Sequence, residues 1–311
     1  MDNKKPQITL AICTCNRTGL LTKLLKSIQV SKPCDIANIE VLIVDNHKSH
    51  SAINVVQNMS DFKYSLHYIS GERAGVPYAR NTACEWCVSR SGEAIIFVDD
   101  DELVSEHWLA SLIKYYLTED EICVVQGRTD PIFEQKAHPS IPTDLFAKSK
   151  PDWETGKKLS VASTNNVIFS LAPIKKHGLL FDERLALTGG SDYEFFVRVN
   201  RLGYQIRWCK EALTYEFIAK TRASIFWLIA RHFRYGCTRS LITLNELDYT
   251  SAVKLQFKLF IKSFKKLCLL LRDVDNYPFS LVRATLIKVE MLDLLAGLIG
   301  INFKEYSSRH K

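Results

Sequence analysis

Three short apolar runs in the first hundred residues constrain the fold more than any other feature. They cover Ile8–Thr14, Ile39–Val44 and Ala94–Val98, are rich in Ile and Val, and do not alternate with polar residues. Such runs are typical of parallel strands that are buried on both faces. Helical patterns follow the first two, one from Leu20 to Ile28 and one after Pro77. The alternation predicts an α/β fold with a doubly wound, Rossmann-like, mostly parallel sheet.

The remainder of the chain extends this domain and then changes character. From about Ser224 onward the pattern is almost entirely helical, so we expect an α/β domain over residues 1–220 and a helical extension over 221–311. A hydrophobic content of 47% over 311 residues supports a large buried core. The net charge of +7 is compatible with nucleotide, nucleic-acid or acidic-lipid partners and does not choose among them.

Cysteines and the N-terminus indicate a cytosolic location. The nine cysteines are an odd number and mostly lie inside apolar runs, which favours reduced thiols over a disulfide framework. Cys84 and Cys87 have the spacing of a redox or zinc motif, but core packing is the better interpretation because no second pair accompanies them. Residues 1–6 lead directly into a strand without a signal-peptide pattern. No apolar stretch approaches the roughly 20 residues that span a bilayer.

Each of the three runs ends in polar residues, and ligands bind at the carboxyl ends of such strands. The last run is followed by Asp99, Asp100 and Asp101. Along an extended chain Asp99 and Asp101 point to the same side, where their charges repel unless a hard divalent cation lies between them. Such an ion would neutralise the charge on a nucleotide diphosphate leaving group. A solvated acidic turn is the alternative for the triplet alone.

The acidic triplet belongs to an ordered set of motifs that resembles glycosyltransferase family 2, of the GT-A fold. The resemblance covers about residues 6–240 and implies a donor half over about 1–120 and an acceptor half over about 121–220. The other motifs of the set are Thr14-x-Asn16-Arg17, Val44-Asp45-Asn46, Ala79-Arg80-Asn81, Ser163-x-Asn165-Asn166 and Gly189-Gly190-Ser191-Asp192.

This resemblance implies a role for each matching position. Asp45 would hydrogen-bond the nucleotide base, and Asp101 would ligate Mn²⁺ or Mg²⁺ directly. A turn residue is the alternative for Asp45, and surface salt bridges are the alternative for the arginines. The remaining positions divide into nucleotide-sugar contacts at Thr14, Asn16, Arg17, Arg80, Asp99 and Asp100, and acceptor contacts at Asn165, Asn166, Gly189 and Gly190.

Asp192 is the candidate general base. The family usually has Glu-Asp here at the start of a helix, and Ser191 replaces the Glu. As a base, Asp192 would take the proton from the acceptor hydroxyl during a single displacement with inversion. A helix N-cap worth about 1 kcal/mol is the alternative for this carboxylate. The two preceding glycines would allow donor and acceptor to approach the backbone closely.

A second departure from the family occurs at Glu216, where many members have a metal-binding His. Glu216 could serve, since hard cations prefer carboxylate oxygens, or it could pair with Arg222.

The segment Lys254–Leu271 reads as a basic amphipathic helix, suited to the surface of an anionic membrane. The alternative is ordinary packing, with Val289–Ile301 as the partner. The lysines cluster on a Phe- and Leu-rich helix without a base-stacking platform, so we do not expect nucleic acid as a partner.

Together these features predict a metal-dependent, inverting glycosyltransferase that moves a sugar from a nucleotide sugar, first of all a UDP-sugar, to a glycan or lipid-linked acceptor. The process would be surface polysaccharide biosynthesis, at the inner face of the cell membrane. Two alternatives stay open. One is an inactive nucleotide-sugar or membrane-binding module, and the other is a nucleotidyltransferase, which the Thr14–Gly19 loop matches poorly.

Overall fold

The computed structural model describes residues 5–71, 73–118, 122–135, 138–139, 141–147, 153–186, 188–246, 248–272 and 280–298. The strands are β1 (Gln7–Thr14), β2 (Asn38–Asp45), β3 (Ser65–Ser70), β4 (Ala94–Val98), β5 (Glu102–Val104), β6 (Ile122–Phe133), β7 (Lys158–Leu159), β8 (Asn166–Ser170) and β9 (Gln205–Ile218). The α-helices are α1 (Thr18–Val30), α2 (Ile53–Gln57), α3 (Val76–Ser89), α4 (Trp108–Tyr116), α5 (Ala172–His177), α6 (Ser191–Arg201), α7 (Ile225–Glu246), α8 (Tyr249–Arg272) and α9 (Ser280–Leu298).

One mixed sheet organises the α/β part of the chain. Its strand order is β3-β2-β1-β4-β8-β6-β9-β5, and β7 pairs with β9. The strands β1 to β4 are mutually parallel, whereas β8 runs antiparallel to both of its neighbours, β4 and β6. Beyond β8, β6 and β9 are parallel again. The predicted fold class, a mostly parallel α/β sheet followed by helices, is confirmed.

Alternate residues of the central strands enter two separate cores, one on each face of the sheet. On one face, Leu10 and Ile12 of β1 pack in a cluster that includes the buried residues of α1 and α4. On the other face, Ala11 lies in a cluster with α3 and α6, whose centre is formed by Phe181 and Phe195 with ring centroids 4.1 Å apart. The continuous apolar runs therefore reflect helices on both sides, as expected for buried parallel strands.

The predicted runs match β1, β2 and β4 to within one residue, but β3 has no counterpart among them. Its sequence, Ser-Leu-His-Tyr-Ile-Ser, is polar at both ends and only partly buried, because β3 is an edge strand. The long strand β9 carries charged residues on its partly exposed positions, which hides the strand pattern from a search for apolar runs.

Asn166 ties the antiparallel strand β8 to three other elements. Its amide nitrogen donates to the carbonyl oxygens of Arg128 in β6 and Ala212 in β9, each at 2.8 Å. Its amide oxygen accepts from Trp108 Nε1 of α4, also at 2.8 Å. The β6–β9 register shifts between Gly127 and Arg128, and the two carbonyls that Asn166 bonds lie beside this bulge. A Cβ at Gly127 would lie 2.5 Å from the Asn166 amide nitrogen, so glycine is required there.

The C-terminal helices form a layered extension. Helix α7 packs on the α/β part through Leu228, which clusters with Ile218 of β9 and Leu286 of α9. Helix α8 is attached on the outside, where Leu267 and Leu270 pack on α9. The predicted packing partner, Val289–Ile301, coincides with α9 up to residue 298, and residues 299–301 lie outside the described part, as do residues 1–4 of the predicted N-terminal lead. Within the described residues, no helix combines the length and apolarity that a bilayer crossing requires.

All nine cysteines are free thiols, as predicted. Cys84 and Cys87 are fully buried in the core between α3 and the sheet, which confirms packing as their role. Burial raises the pKa of Cys87 to about 11, so this thiol stays protonated and unreactive at neutral pH.

We expect Asn166→Ala to lower the free energy of unfolding by about 3 kcal/mol or more, because it removes three buried hydrogen bonds, each worth roughly 1–3 kcal/mol when a buried partner is left behind. Urea unfolding followed by circular dichroism measures the loss. The exposed Asn58 provides a matched control, since Asn58→Ala should change stability by less than about 0.5 kcal/mol. Equal stability of the two variants would contradict the bridging role of Asn166.

Candidate active site at the carboxyl ends of the strands

The acidic triplet follows β4 directly and lies against the loop after β1. Asp100 accepts hydrogen bonds from Thr14 Oγ1 at 2.7 Å and from Arg17 Nη1 at 2.8 Å. Only 4% of Asp100 is exposed, and burial raises the pKa of its carboxyl to about 6, although Arg17 and Thr14 act in the opposite direction. Asp100 thus faces inward and orients Thr14 and Arg17. Its direct contact with a donor stays a prediction.

Asp101 lies between two guanidinium groups. Its carboxylate Oδ2 is 3.1 Å from Arg17 Nη1 and 3.4 Å from Arg222 Nη1. Its carbonyl accepts from the backbone N–H of Phe217 at 2.9 Å, which fixes the triplet to β9. Arg222 was considered from the sequence only as a partner for Glu216, and its contact with Asp101 was missed because no local motif marks it.

Asp45, at the end of β2, is fully buried and shapes the loop that follows it. Its carboxylate accepts from the backbone N–H of His47 at 3.1 Å and of Ala52 at 2.8 Å, and from the Tyr68 hydroxyl at 3.4 Å. Burial, together with the Asp45 charge, raises the pKa of Tyr68 to about 12, so Tyr68 remains a donor. Asp45 therefore acts as a turn-forming residue in this structure, and its contact with a base stays a prediction.

Asn16 and Asn46 flank this part of the site. Asn16 is exposed and has a φ of 52°, a left-handed conformation that turns the chain between β1 and α1. Asn46 is buried and donates to the carbonyl of Gly75 at 2.8 Å. Its amide oxygen has no hydrogen-bond partner among the described residues. Asn46 belongs to the Val44-Asp45-Asn46 motif, but the sequence does not predict a site role for it.

Arg80 links the donor side of the site to the candidate base. It projects from α3, and its Nη1 donates to Ser191 Oγ at 3.0 Å. Asp192, half-buried, is the next residue of α6, and its Oδ1 accepts from the backbone N–H of Tyr193 at 2.9 Å. Cys13, at the end of β1, is half-buried, and desolvation raises the pKa of its thiol to about 12. Arg80 thus joins α3 to the residue directly before Asp192.

The two glycines before α6 both have left-handed backbones, with φ of 80° at Gly189 and 84° at Gly190, which favour glycine at each position. The sequence predicts that donor and acceptor approach the backbone of Gly190 closely. In the structure, α7 lies against this backbone. A Cβ at Gly190 would lie 2.1 Å from Thr238 Cγ2, so the helical extension packs directly on the backbone that carries Asp192.

Asn165 and Asn166, predicted to bind the acceptor, are both buried and hydrogen-bonded within the protein. Asn165 Nδ2 donates to Glu102 Oε1 at 2.9 Å and to Thr129 Oγ1 at 2.7 Å. The carbonyl of Asn165 accepts from the backbone N–H of Asp99 at 3.3 Å. These contacts give the pair a structural role beneath the acidic triplet. A direct contact with the acceptor stays untested.

The carboxylates at this end of the sheet are the residues to consider for a divalent metal. Glu216 is 7% exposed, faces Glu102 across the β5–β9 pair, and directly precedes Phe217, which bonds Asp101. Among the described residues, no group of three or more His, Cys, Asp or Glu is arranged to hold a metal ion. Mg²⁺ is typically held by one or two carboxylates together with substrate phosphates and water, so Asp101 fits such an ion when a diphosphate completes the set.

Comparisons with known proteins agree with this geometry. The chain is 27% identical over 239 residues to the succinoglycan biosynthesis protein ExoM of Rhizobium meliloti, covering 76% of this chain and 75% of that protein. It is 28% identical over 111 residues to the GalNAc(5)-diNAcBac-PP-undecaprenol beta-1,3-glucosyltransferase of Campylobacter jejuni, covering 35% of this chain and 34% of that protein.

Among solved structures, the mannosyltransferase PcManGT from Pyrobaculum calidifontis, in complex with GDP-Man and Mn²⁺, superimposes with a TM-score of 0.61 at 15% identity. The alignment covers 94% of this chain and 87% of that protein, and it supports the fold. Residues 9–177, more than half of the chain, match the sequence profile of Glycosyl transferase family 2. This match and the sheet that carries the acidic triplet lead to the same conclusion: the chain belongs to glycosyltransferase family 2.

Proposed function

We propose that this glycosyltransferase is an inverting, metal-dependent enzyme that transfers a sugar from a nucleoside-diphosphate sugar to a glycan or lipid-linked acceptor. The observation that carries the proposal is the set of contacts that joins Arg17 and Thr14 to the acidic triplet, together with Arg80, which donates to Ser191 beside Asp192. A donor bound at the triplet would therefore present its sugar toward a carboxylate that can take a proton.

The donor side supplies cations for a diphosphate. Arg17 and Arg222 both contact Asp101, and Arg80 donates to the neutral hydroxyl of Ser191. Guanidinium groups bind phosphate oxygens through paired N–H donors. Asp100 holds Arg17 in place for this task. Asp45 and Asn16 complete the nucleotide-binding side in this proposal, and a UDP-sugar is the first donor to test.

Asp101, with Glu216 as a second ligand, would hold Mn²⁺ or Mg²⁺. The Mn²⁺ and GDP-Man named in the PcManGT complex support this role on the same fold. When bound, such an ion supplies positive charge that neutralises the leaving diphosphate. Arg17 and Arg222 would also neutralise the leaving diphosphate, since their charges lie at the same carboxylate.

Asp192 would act as the general base. The acceptor oxygen forms a bond to the anomeric carbon while the bond from that carbon to the diphosphate oxygen breaks on the opposite face. Asp192 takes the hydroxyl proton, and the electron pair of the broken bond leaves with the nucleoside diphosphate. A single displacement of this kind inverts the anomeric configuration and needs no covalent intermediate with the protein.

The acceptor side is proposed from the relatives. One is named for succinoglycan biosynthesis, and another for a substrate joined through a diphosphate to undecaprenol. We therefore propose surface polysaccharide biosynthesis on a glycan or lipid-linked acceptor, with the enzyme at the inner face of the cell membrane. In this proposal residues 1–120 bind the donor, residues 121–220 contribute the acceptor side, and residues 221–311 form the extension.

Calorimetric titration with UDP, GDP and dTDP, each with Mn²⁺ and with EDTA, tests the donor site. We expect one nucleotide to bind in the presence of Mn²⁺ and to bind at least about tenfold more weakly with EDTA, because Asp101 would hold the ion and the ion would supply positive charge to the diphosphate. Asp101→Asn should weaken the Mn²⁺-dependent binding, whereas the exposed control Asp61→Asn should not. If the folded protein binds none of the three nucleotides, the interpretation as an inactive module replaces the interpretation as an enzyme.

Asp192→Asn tests the base. The amide retains the shape of the side chain but cannot take a proton, so we expect transfer to slow by about 10²–10⁴-fold while nucleotide binding stays unchanged. Release of nucleoside diphosphate in the presence of a lipid-linked acceptor extract gives the rate, and Asp61→Asn again serves as the control. Full activity of Asp192→Asn would remove Asp192 from the mechanism.

A further inference from the structure

Helix α8 turns its apolar side chains toward solvent. Phe257 is 63% exposed and Phe264 is 52% exposed, and Ile261 and Leu271 are also exposed. Successive members of the set 257, 261, 264, 268 and 271 are three or four residues apart, so they form one stripe along the helix. Large apolar side chains in a continuous exposed stripe are unusual for a water-facing surface and mark an interaction site.

The face of α8 that packs on the protein, about a third of a turn around the helix from the stripe, is unusually polar. It includes Gln256 and Ser263 beside Ala252, Leu267 and Leu270. Gln256 is 1% exposed, and its side-chain amide has no hydrogen-bond partner among the described residues. Burial of an amide in this way costs free energy, while the phenylalanines that would gain from burial remain outside. Helix α8 therefore buries an amide while the large aromatic side chains Phe257 and Phe264 stay exposed beside it.

Basic residues border the apolar stripe. Lys258, Lys265 and Arg272 each directly follow a member of the stripe in sequence, and Lys254 lies three residues before Phe257, so all four lie on the adjoining side of α8. Lys262 and Lys266 are exposed as well, and the segment 249–272 contains no acidic residue. A partner for this face must therefore accept bulky apolar groups and also carry negative charge. A second copy of the helix would bring like charges together.

We propose that α8 binds the interfacial region of an anionic lipid bilayer, with the helix axis parallel to the surface and the stripe of Phe257, Ile261, Phe264 and Leu271 inserted among the acyl chains. The lysines and Arg272 then lie at the level of the headgroups, where they meet anionic lipid. This contact goes beyond the transfer reaction, because it depends on α8 and on none of the residues of the candidate active site.

Flotation of the full chain with vesicles of phosphatidylcholine, with and without phosphatidylglycerol, tests the proposal. We expect binding to the anionic vesicles and a decrease on addition of salt. The variant K254Q/K258Q/K265Q should lose roughly fivefold per removed charge, or about a hundredfold in partitioning. The variant F257Q/F264Q should lose at least about tenfold, because two buried aromatic groups are replaced.

Matched variants elsewhere on the surface separate this face from general charge and hydrophobicity. The lysines of K26Q/K114Q/K176Q are exposed on the α/β part, and Val30 is 82% exposed at the end of α1, so K26Q/K114Q/K176Q and V30Q should bind vesicles like the wild type. All variants should keep the wild-type unfolding midpoint, since the changed side chains are exposed.

Two results would overturn the proposal. One is absence of vesicle binding by the folded wild-type chain, as expected if another segment of the chain covers the stripe. The other is a dimer in light scattering that F257Q/F264Q dissociates, together with vesicle binding that F257Q/F264Q leaves unchanged, which would assign the stripe to self-association.

Discussion

The buried amide of Asn166 holds the junction on which both halves of the sheet depend. At this junction the parallel strands end and the chain reverses through β8, and the β6–β9 pair beyond contains a bulge. A bulge leaves backbone groups without partners, and in a buried position each would cost free energy. Asn166 donates to the backbone carbonyls of Arg128 and Ala212 beside the bulge and accepts from the indole of Trp108. One side chain thus joins β8, β6, β9 and α4. With the junction fixed, Phe217 of β9 reaches the carbonyl of Asp101.

At the acidic triplet, burial and the neighbouring positive charges have opposite effects on the ionisation of a carboxylate. Desolvation of Asp100 favours its neutral form, and the hydrogen bonds from Thr14 and Arg17 favour the ionised form. Asp101 has two arginines at its carboxylate. In the proposed function, the neighbouring carboxylates and guanidinium groups would receive a ligand that carries negative charge and brings its own cation. The strength of each contact rises where water is excluded, so the same groups would act more strongly once a donor covers them.

Much of this arrangement could be predicted from the sequence, since continuous apolar runs require burial on both faces and the polar residues after them must then meet at one edge. The motif residues Asp99 to Asp101 and Asp192 were found in this way or through the family resemblance. The contacts between them could not be predicted. Arg222 contacts Asp101 although the two residues are more than a hundred positions apart in the sequence, and no periodic pattern predicts this contact. The family resemblance assigned Asn165 and Asn166 to acceptor binding, and their burial depends on tertiary contacts that a motif does not encode. The edge strand β3 was not predicted because an edge strand pairs on one side only. It can therefore be partly exposed and does not need a continuous apolar run.

The contact between Gly190 and Thr238 joins two parts of the chain that a comparison of motifs would treat as independent. No side chain at position 190 can be accommodated unless α7 moves, and a bulkier residue at 238 would press on the backbone before Asp192. The two positions should therefore vary together in evolution, with a small residue at one wherever the other is close-packed. A chimera that takes its C-terminal helices from a relative would inherit the mismatch at this contact, even with every residue around the acidic triplet unchanged. Exchange of the C-terminal helices would therefore disturb the backbone that carries Asp192.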